Sequence, residues 1–231
     1  MAERMEKMKG LVLKDLYYLK GFMKQYLLIL GFMAVWSVMV KNSSFIVTYL
    51  LVMGNTLILS TSSMDEAVSF NRFALTMPVS RKMLVQSKYF LMLMVELAAL
   101  LIGLLLGVLV NMNPYPLQGT SRWVSSGNFE WTGIISLFVL FTLVGCVTLP
   151  AVFKFGVEKA RHVYMISMLG LAVLVFGGFK LCQVAGISLD FLNRLEEMPS
   201  EGLLAIMLAV CAGAVAVSYR VSLKAIRNKE W

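Results

Sequence analysis

The sequence is short of charged side chains, and this shortage narrows the class of protein before any motif is considered. Only 15% of its 231 residues are charged, whereas 59% are hydrophobic, and the mean hydropathy is +0.78. A soluble domain carries roughly a quarter charged residues, because it needs them to cover its surface. We therefore expect lipid to be the solvent for much of this chain.

The sequence also has few cysteines and histidines, three and one respectively, which argues against disulfides and metal sites. Cys146, Cys182 and Cys211 are widely separated and lie in or beside apolar runs. Such an odd, scattered set predicts neither a disulfide framework nor a metal site, and we interpret the three residues as small apolar helix residues. The one histidine, His162, lies in a basic loop, where we expect it to face lipid headgroups.

Motifs for chemistry are missing as well. The sequence contains no G-x-x-x-x-G-K-[ST], which excludes nucleotide binding through a P-loop on this chain. An enzyme embedded in the bilayer needs clustered acidic or histidine side chains there, and Glu96 has no such partner one helical turn away. We therefore predict no catalytic residue, metal or cofactor on this chain. An intramembrane enzyme that uses Glu96 and His162 is kept only as a competing interpretation.

The charge that is present is strongly basic, with a net charge of +8. The basic residues lie at the ends of apolar runs rather than in one patch, so we predict no nucleic-acid partner. Seventeen of the 21 lysines and arginines fall on one side of the predicted membrane. The positive-inside rule places that side, with both chain termini, in the cytoplasm.

Apolar runs of membrane-spanning length predict an all-α, polytopic membrane protein with a single transmembrane domain. The six predicted spans are residues 25–40, 45–61, 89–110, 132–153, 163–179 and 202–219. In the third span, Gly103 and Gly107 have the spacing that lets two helices approach closely. Asn55 and Glu96 are polar residues inside spans, and we expect them to line a cavity or to contact each other. A structural, hydrogen-bonded carboxyl group is the alternative for Glu96.

The N-terminal residues predict an amphipathic elbow helix in the membrane interface rather than a cleavable signal peptide. Over residues 8–23 the apolar side chains share one helix face, whereas the lysines, Lys14 among them, fall outside it. Asp15 lies on the apolar face, where a carboxylate is unexpected. We favour a pair with a neighbouring lysine, or contact with headgroups, over a fixed partner at the cytoplasmic end of the helix bundle.

The most informative stretch is the polar segment between spans two and three, residues 62–88. Ser63 followed by Glu66 fits a capping box and Pro78 closes the segment, which predicts a helix over residues 63–78. Ser80 can then cap the next helix. An acidic pair followed by aromatic residues is typical of a helix that docks on a soluble partner. An amphipathic loop resting on the bilayer is the alternative, but an anionic leaflet would repel the acidic pair.

This segment also carries a resemblance to a known family. The likeness covers nearly the whole chain and is to the permease subunits of small bacterial ABC exporters of the type-2 permease superfamily. Within these, the sequence is most similar to the permeases that export phenol-soluble modulins, which are amphipathic peptide toxins. The matching residues are Lys14-Asp15, Asp65-Glu66, Asn71-Arg72-Phe73-Ala74-Leu75-Thr76-Met77-Pro78-Val79-Ser80-Arg81-Lys82 and Ser87-Lys88-Tyr89.

The resemblance implies a homodimer in the bacterial plasma membrane that works with two separate cytoplasmic ATPase subunits, which would bind ATP and Mg. The segment between spans two and three would be the coupling helix seated on the ATPase. Its aromatic residues would anchor in an apolar cleft, and its charges would fix the register. The implied coupling residues are Asp65, Glu66, Phe70, Arg72, Phe73, Met77, Pro78, Arg81 and Lys82.

The substrate is the least constrained part of this interpretation. Export of amphipathic or hydrophobic peptides is what the resemblance implies, and the same machinery could export a lipid, a drug or an ion. A membrane protein that senses toxic peptides or gives immunity to them, without transport, is a competing function from another class.

Overall fold

The structure is a computed structural model, and it describes residues 2–40, 44–76, 80–111, 131–184 and 200–227. Within these ranges the chain forms seven α-helices and no strand. The predicted all-α fold class is therefore confirmed for the described residues. The helices are α1 (Ala2–Val40), α2 (Ser44–Ala67), α3 (Phe70–Thr76), α4 (Arg81–Asn111), α5 (Trp131–Phe155), α6 (Val157–Val184) and α7 (Ser200–Arg227).

Five helices in the described part of the chain are long and apolar enough to cross a membrane. They coincide with five of the six predicted spans, and their bounds are Met8–Met39, Phe45–Ala67, Arg81–Leu109, Gly133–Phe155 and Ala205–Arg227. The remaining predicted span, residues 163–179, lies within α6. The chain is thus consistent with a polytopic membrane protein, and the count of six spans stays a prediction.

The first helix differs from the sequence prediction. An interfacial helix over residues 8–23 and a separate span over 25–40 were expected, but α1 runs without interruption from Ala2 to Val40. Lys24, the residue at the expected junction, is an ordinary helix former and leaves no reason for a break. The sequence changes from mixed to apolar composition along α1, and the helical backbone continues across that change.

The boundary between α2 and α3 also differs from the prediction. A helix over residues 63–78 was expected to begin at Ser63, but α2 continues to Ala67 and α3 begins only at Phe70. Hydroxyl groups near the end of α2 bond back to its own carbonyls, as Ser62 does to Ile58 at 2.9 Å. Polar residues of this kind can therefore follow the apolar run without ending the helix. Met77 and Pro78 lie outside the described residues.

The core forms where α2, α4 and α5 meet, with α1, α6 and α7 packed around them. The contact between α2 and α4 is close at Gly103, where an added Cβ would lie 3.1 Å from a methyl carbon of Val47. The predicted role of Gly103 in close helix approach is confirmed. Ser80 caps α4 as the sequence predicts, because the amide of Met83 donates to its hydroxyl at 3.3 Å.

Helices α5 and α6 are joined through one residue, Gly156, whose φ of +88° lies in the left-handed region. The Gly156 amide bonds the carbonyl of Val152 at 3.0 Å and so closes the last turn of α5. An added Cβ at Gly156 would lie 2.7 Å from Oε1 of Glu66, which comes from the end of α2. Both the backbone angle and the close approach therefore require glycine here.

We expect Gly156→Ala to lower the free energy of unfolding by about 2 kcal/mol, because the left-handed backbone disfavours a Cβ and the Glu66 carboxylate must move. The measurement is SDS-induced unfolding of the detergent-solubilised protein. Gly170→Ala is the matched control, because Gly170 also lies in this helix pair and has no atom within 4 Å of an added Cβ. Equal stability of the two variants would contradict the assignment.

Candidate functional site

The candidate site is a cavity of about 320 Å³ at the end of the bundle that carries α3. Side chains from α1, α2, α3, α4 and the α5–α6 corner surround it. Its polar lining residues are Lys14, Asp15, Ser62, Asp65, Glu66, Ser69, Arg72, Ser87 and Lys88. The sequence-predicted Asp65, Glu66, Phe70 and Arg72 therefore share one cavity with Lys14 and Asp15.

Two carboxylates and two lysines form an ion-pair network in the wall of this cavity. Lys88 on α4 lies 3.0 Å from Oδ2 of Asp15 on α1 and 2.7 Å from Oδ2 of Asp65 on α2. Lys14 contacts Oδ1 of Asp65 and lies 3.3 Å from Oδ1 of Asp15. We call these four residues the charge network. It joins α1, α2 and α4 and carries no net charge.

Burial makes the charge network sensitive to the loss of any member. Asp15 is only 1% exposed and Asp65 3% exposed, so neither carboxylate can be solvated by bulk water. Removing one partner from a buried ion pair leaves a charge without compensation, which costs far more than the pair contributes when intact. Asp15 therefore makes both of the contacts considered from the sequence: it pairs with the neighbouring Lys14, as favoured, and with Lys88 on α4, a fixed partner at the end of the bundle.

The inner face of α3 packs against the same helices. Nζ of Lys14 lies 3.5 Å from the centre of the Phe70 ring, within the range of a cation–π contact. Phe70 also packs against a buried apolar cluster, and Ala74 of that cluster is only 1% exposed. The other members of the cluster are Leu11, Met83 and Leu84, from α1 and α4. The position of α3 is therefore set by α1 and α4.

The outer face of α3 remains open. Phe73 is 55% exposed, and Arg72 and Lys82 are exposed as well. Among the predicted docking residues that the structure describes, these three and Glu66 are exposed, and the Glu66 carboxylate is bonded to the amide of Val157. Arg81, in contrast, donates hydrogen bonds to the carbonyls of Ile226 and Arg227 at 3.4 and 3.2 Å, and so satisfies the end of α7.

Glu66 is exposed, and its carboxylate is bonded to another helix of the chain. Its Oε2 accepts a hydrogen bond of 2.7 Å from the amide of Val157, the first residue of α6. A carboxylate at a helix N-terminus satisfies a free amide and interacts favourably with the helix dipole. Nearby, Arg161 donates to the hydroxyl of Ser63 at 3.2 Å. The expected capping box between Ser63 and Glu66 is thus replaced by contacts from α2 to α6.

Asn55 and Glu96 lie together in the bundle interior, away from the cavity. Oε1 of Glu96 accepts from Nδ2 of Asn55 at 3.4 Å, and Oε2 accepts from the hydroxyl of Thr142 at 2.8 Å. An added Cβ at Gly145 would lie 3.2 Å from Glu96 Oε1, so the glycine provides the space. Glu96 is fully buried, and neither Asn55 nor Glu96 lines the cavity near α3.

Sequence reasoning missed the role of Lys88 in the site and that of Tyr89 beside it. Lys88 was included only in the family motif, although it pairs with both carboxylates, as Lys14 does. A usable signal was present: a carboxylate on the apolar face of a helix needs a buried cation, and Lys88 is the basic residue at the edge of the third span. Tyr89, the next residue, bonds the hydroxyls of Ser218 and Ser222 on α7, and its role had no comparable signal.

We expect Asp15→Asn to lower the free energy of unfolding by about 3 kcal/mol, because it leaves the buried network with an excess positive charge. The double variant Asp15→Asn/Lys88→Met restores neutrality and should recover most of the loss. The measurement is the same SDS titration. Lys20→Met on the exposed face of α1 is the control and should change little. A double variant less stable than Asp15→Asn would contradict the charge argument.

Comparison with protein-family models identifies the family of this chain. No curated protein matches this sequence. The family described as ABC-2 family transporter protein matches residues 10–227, which is nearly the whole chain and includes all seven described helices in whole or in part. The chain therefore belongs to the ABC-2 transporter family and is a multi-pass transmembrane subunit of an ABC transporter, whose ATPase is typically a separate subunit.

Proposed function

We propose that this chain is the membrane half of an ATP-driven exporter and that it contacts its ATPase through the outer face of α3. The observation that carries the proposal is the two-sided packing of α3. On its inner face, Phe70 contacts Lys14 of α1 and Ala74 lies in the buried apolar cluster, whereas Phe73 is 55% exposed on the outside. An exposed aromatic on a fixed helix is suited to an apolar cleft of a partner.

The basic residues beside Phe73 fit the same role. Arg72 and Lys82 are exposed, so they are free to pair with acidic side chains of the ATPase and fix its register. Asp65 and Glu66, which the resemblance assigns to coupling, support this helix from within through Lys14, Lys88 and Val157. ATP and Mg would bind the partner subunit. This chain would supply the docking surface and the path through the membrane.

The transported substrate is proposed to be an amphipathic or hydrophobic peptide, carried between two copies of the chain in the bacterial plasma membrane, with both termini in the cytoplasm. The membrane-length helices leave broad apolar surfaces uncovered, which suit lipid, a second copy and an apolar cargo. Strongly exposed apolar side chains on α1 and α4 include Leu27, Leu28, Phe32, Val35, Leu101, Leu105 and Leu109.

We expect Phe73→Asp to lower the amount of cognate ATPase that co-purifies with this chain by about tenfold or more, because a carboxylate would be buried in an apolar cleft. Basal folding should be retained, since the side chain is exposed. Phe73→Leu is the control, because it keeps an apolar group and should keep the ATPase. Undiminished co-purification with Phe73→Asp, together with unchanged ATP hydrolysis, would remove α3 as the contact.

The substrate class is tested separately on the reconstituted complex. We expect a synthetic amphipathic helical peptide to stimulate ATP hydrolysis, because its apolar face can enter the membrane-exposed path. A peptide of the same composition, scrambled so that its apolar residues share no face, should not. Stimulation by a lipid, a drug or sodium instead would replace the peptide while leaving the coupling proposal intact. A chain that binds the peptide but recruits no ATPase would indicate a sensor or immunity protein.

A further inference from the structure

The last turn of α2 holds contacts to two different parts of the bundle. We call residues 63–67 the junction turn. Asp65 contacts Lys14 on α1 and Lys88 on α4. Ser63 and Glu66 contact the beginning of α6. Residues three apart share a helix face, whereas neighbouring residues point about 100° apart. The two sets of contacts therefore leave the junction turn in different directions.

The junction turn is tightly connected to α3. Two residues, Val68 and Ser69, separate α2 from α3, and they are held by backbone hydrogen bonds. The amide of Ser69 bonds the carbonyl of Glu66 at 3.1 Å, and the amides of Arg72 and Phe73 bond the carbonyl of Ser69 at 3.0 and 3.3 Å. A connection this short has little slack, so a displacement of α3 reaches the junction turn directly.

On one side, the charge network leads from the junction turn to α1. Lys14 contacts both Asp65 and the Phe70 ring, so it ties α1 to the junction turn and to α3. Because α1 continues unbroken from Ala2 to Val40, a movement at Lys14 is carried along the whole helix. A buried ion pair resists separation, since separating it exposes an uncompensated charge.

On the other side, Glu66 leads to α6. Its carboxylate holds the Val157 amide at 2.7 Å, directly after the single-residue connection at Gly156. Arg161 holds Ser63 one turn further along α6. These contacts act on the N-terminus of α6 and do not include any member of the charge network.

From these contacts we infer that the junction turn divides the movement of α3 between two separable arms. Asp65 with the charge network positions α1, and Glu66 with Ser63 positions α6. This inference rests on the proposed function, because it assumes that the ATPase moves α3. Asp65 and Glu66 are positioning residues in this scheme and touch neither nucleotide nor substrate.

The test uses hydrogen–deuterium exchange of the chain in complex with its ATPase in lipid nanodiscs, without nucleotide and trapped with ATP and vanadate. The unmodified complex should show a difference between the two states at residues 70–76, 8–23 and 157–165. The charge-balanced variant Lys14→Met/Asp65→Asn should strongly reduce the difference at 8–23, where only the packing of Leu11 against α3 remains, and should keep the difference at 157–165. Glu66→Ala should give the reverse pattern.

Matched variants control for general effects of the substitutions. Lys20→Met removes an exposed lysine of α1, and Glu158→Ala removes the other acidic residue near the start of α6. Both should keep all three differences. Asp65→Asn/Lys88→Met is a second neutral variant. It leaves Lys14 paired with Asp15 and in contact with the Phe70 ring, so it should reduce the difference at 8–23 less than Lys14→Met/Asp65→Asn does.

The outcomes distinguish failure of the two-arm division from failure of the proposed coupling through α3. If α3 shows no difference on trapping in an assembled, unmodified complex, the proposed coupling fails and the inference falls with it. If α3 responds but either arm variant reduces both distant differences, or neither one, the two-arm division is overturned while the coupling through α3 stands.

Discussion

The burial of two carboxylates against two lysines is the constraint on which the end of this bundle depends. Each charge taken from water costs several kcal/mol, and only the full set of partners offsets that cost. Asp15, Asp65 and Lys88 come from three helices, so the charge network forms only when α1, α2 and α4 are all in place. The charge network thereby positions the helices that pack against α3 and line the cavity.

The same rule operates deeper in the bundle with uncharged partners. In an apolar interior a polar group must find its hydrogen bonds within the protein. Glu96 accepts hydrogen bonds from Thr142 and Asn55, and the hydroxyl groups of Tyr89 and Ser222 are hydrogen-bonded at 2.8 Å. These contacts set the position of α4 against α2, α5 and α7. Helix α4 is thus fixed between Arg81 and Glu96 by polar contacts, which lipid-facing side chains alone could not provide.

Much of the fold could be predicted from the sequence, because apolar runs of bilayer length have few structural solutions. The start of α4 at Ser80 and the close approach at Gly103 were also readable, since each depends on local chemistry. The pairing of Asp15 with Lys88 was not predicted, because a carboxylate on an apolar face signals the need for a cation without specifying one that lies 73 residues further along the chain. The end of α2 was misjudged for a related reason. Polar residues there mark the limit of the apolar run, whereas the helix continues because Asp65 and Glu66 have partners on other helices.

A seven-residue helix such as α3 has little stability of its own, because forming the first turns costs more than so few hydrogen bonds return. Its conformation must therefore come from what it touches: the Lys14 ammonium on the Phe70 ring and the apolar cluster around Ala74. A helix that is held in this way cannot be moved independently of its supports. A partner bound at Phe73, as proposed above, would therefore shift α3 only together with its contacts on α1 and α4.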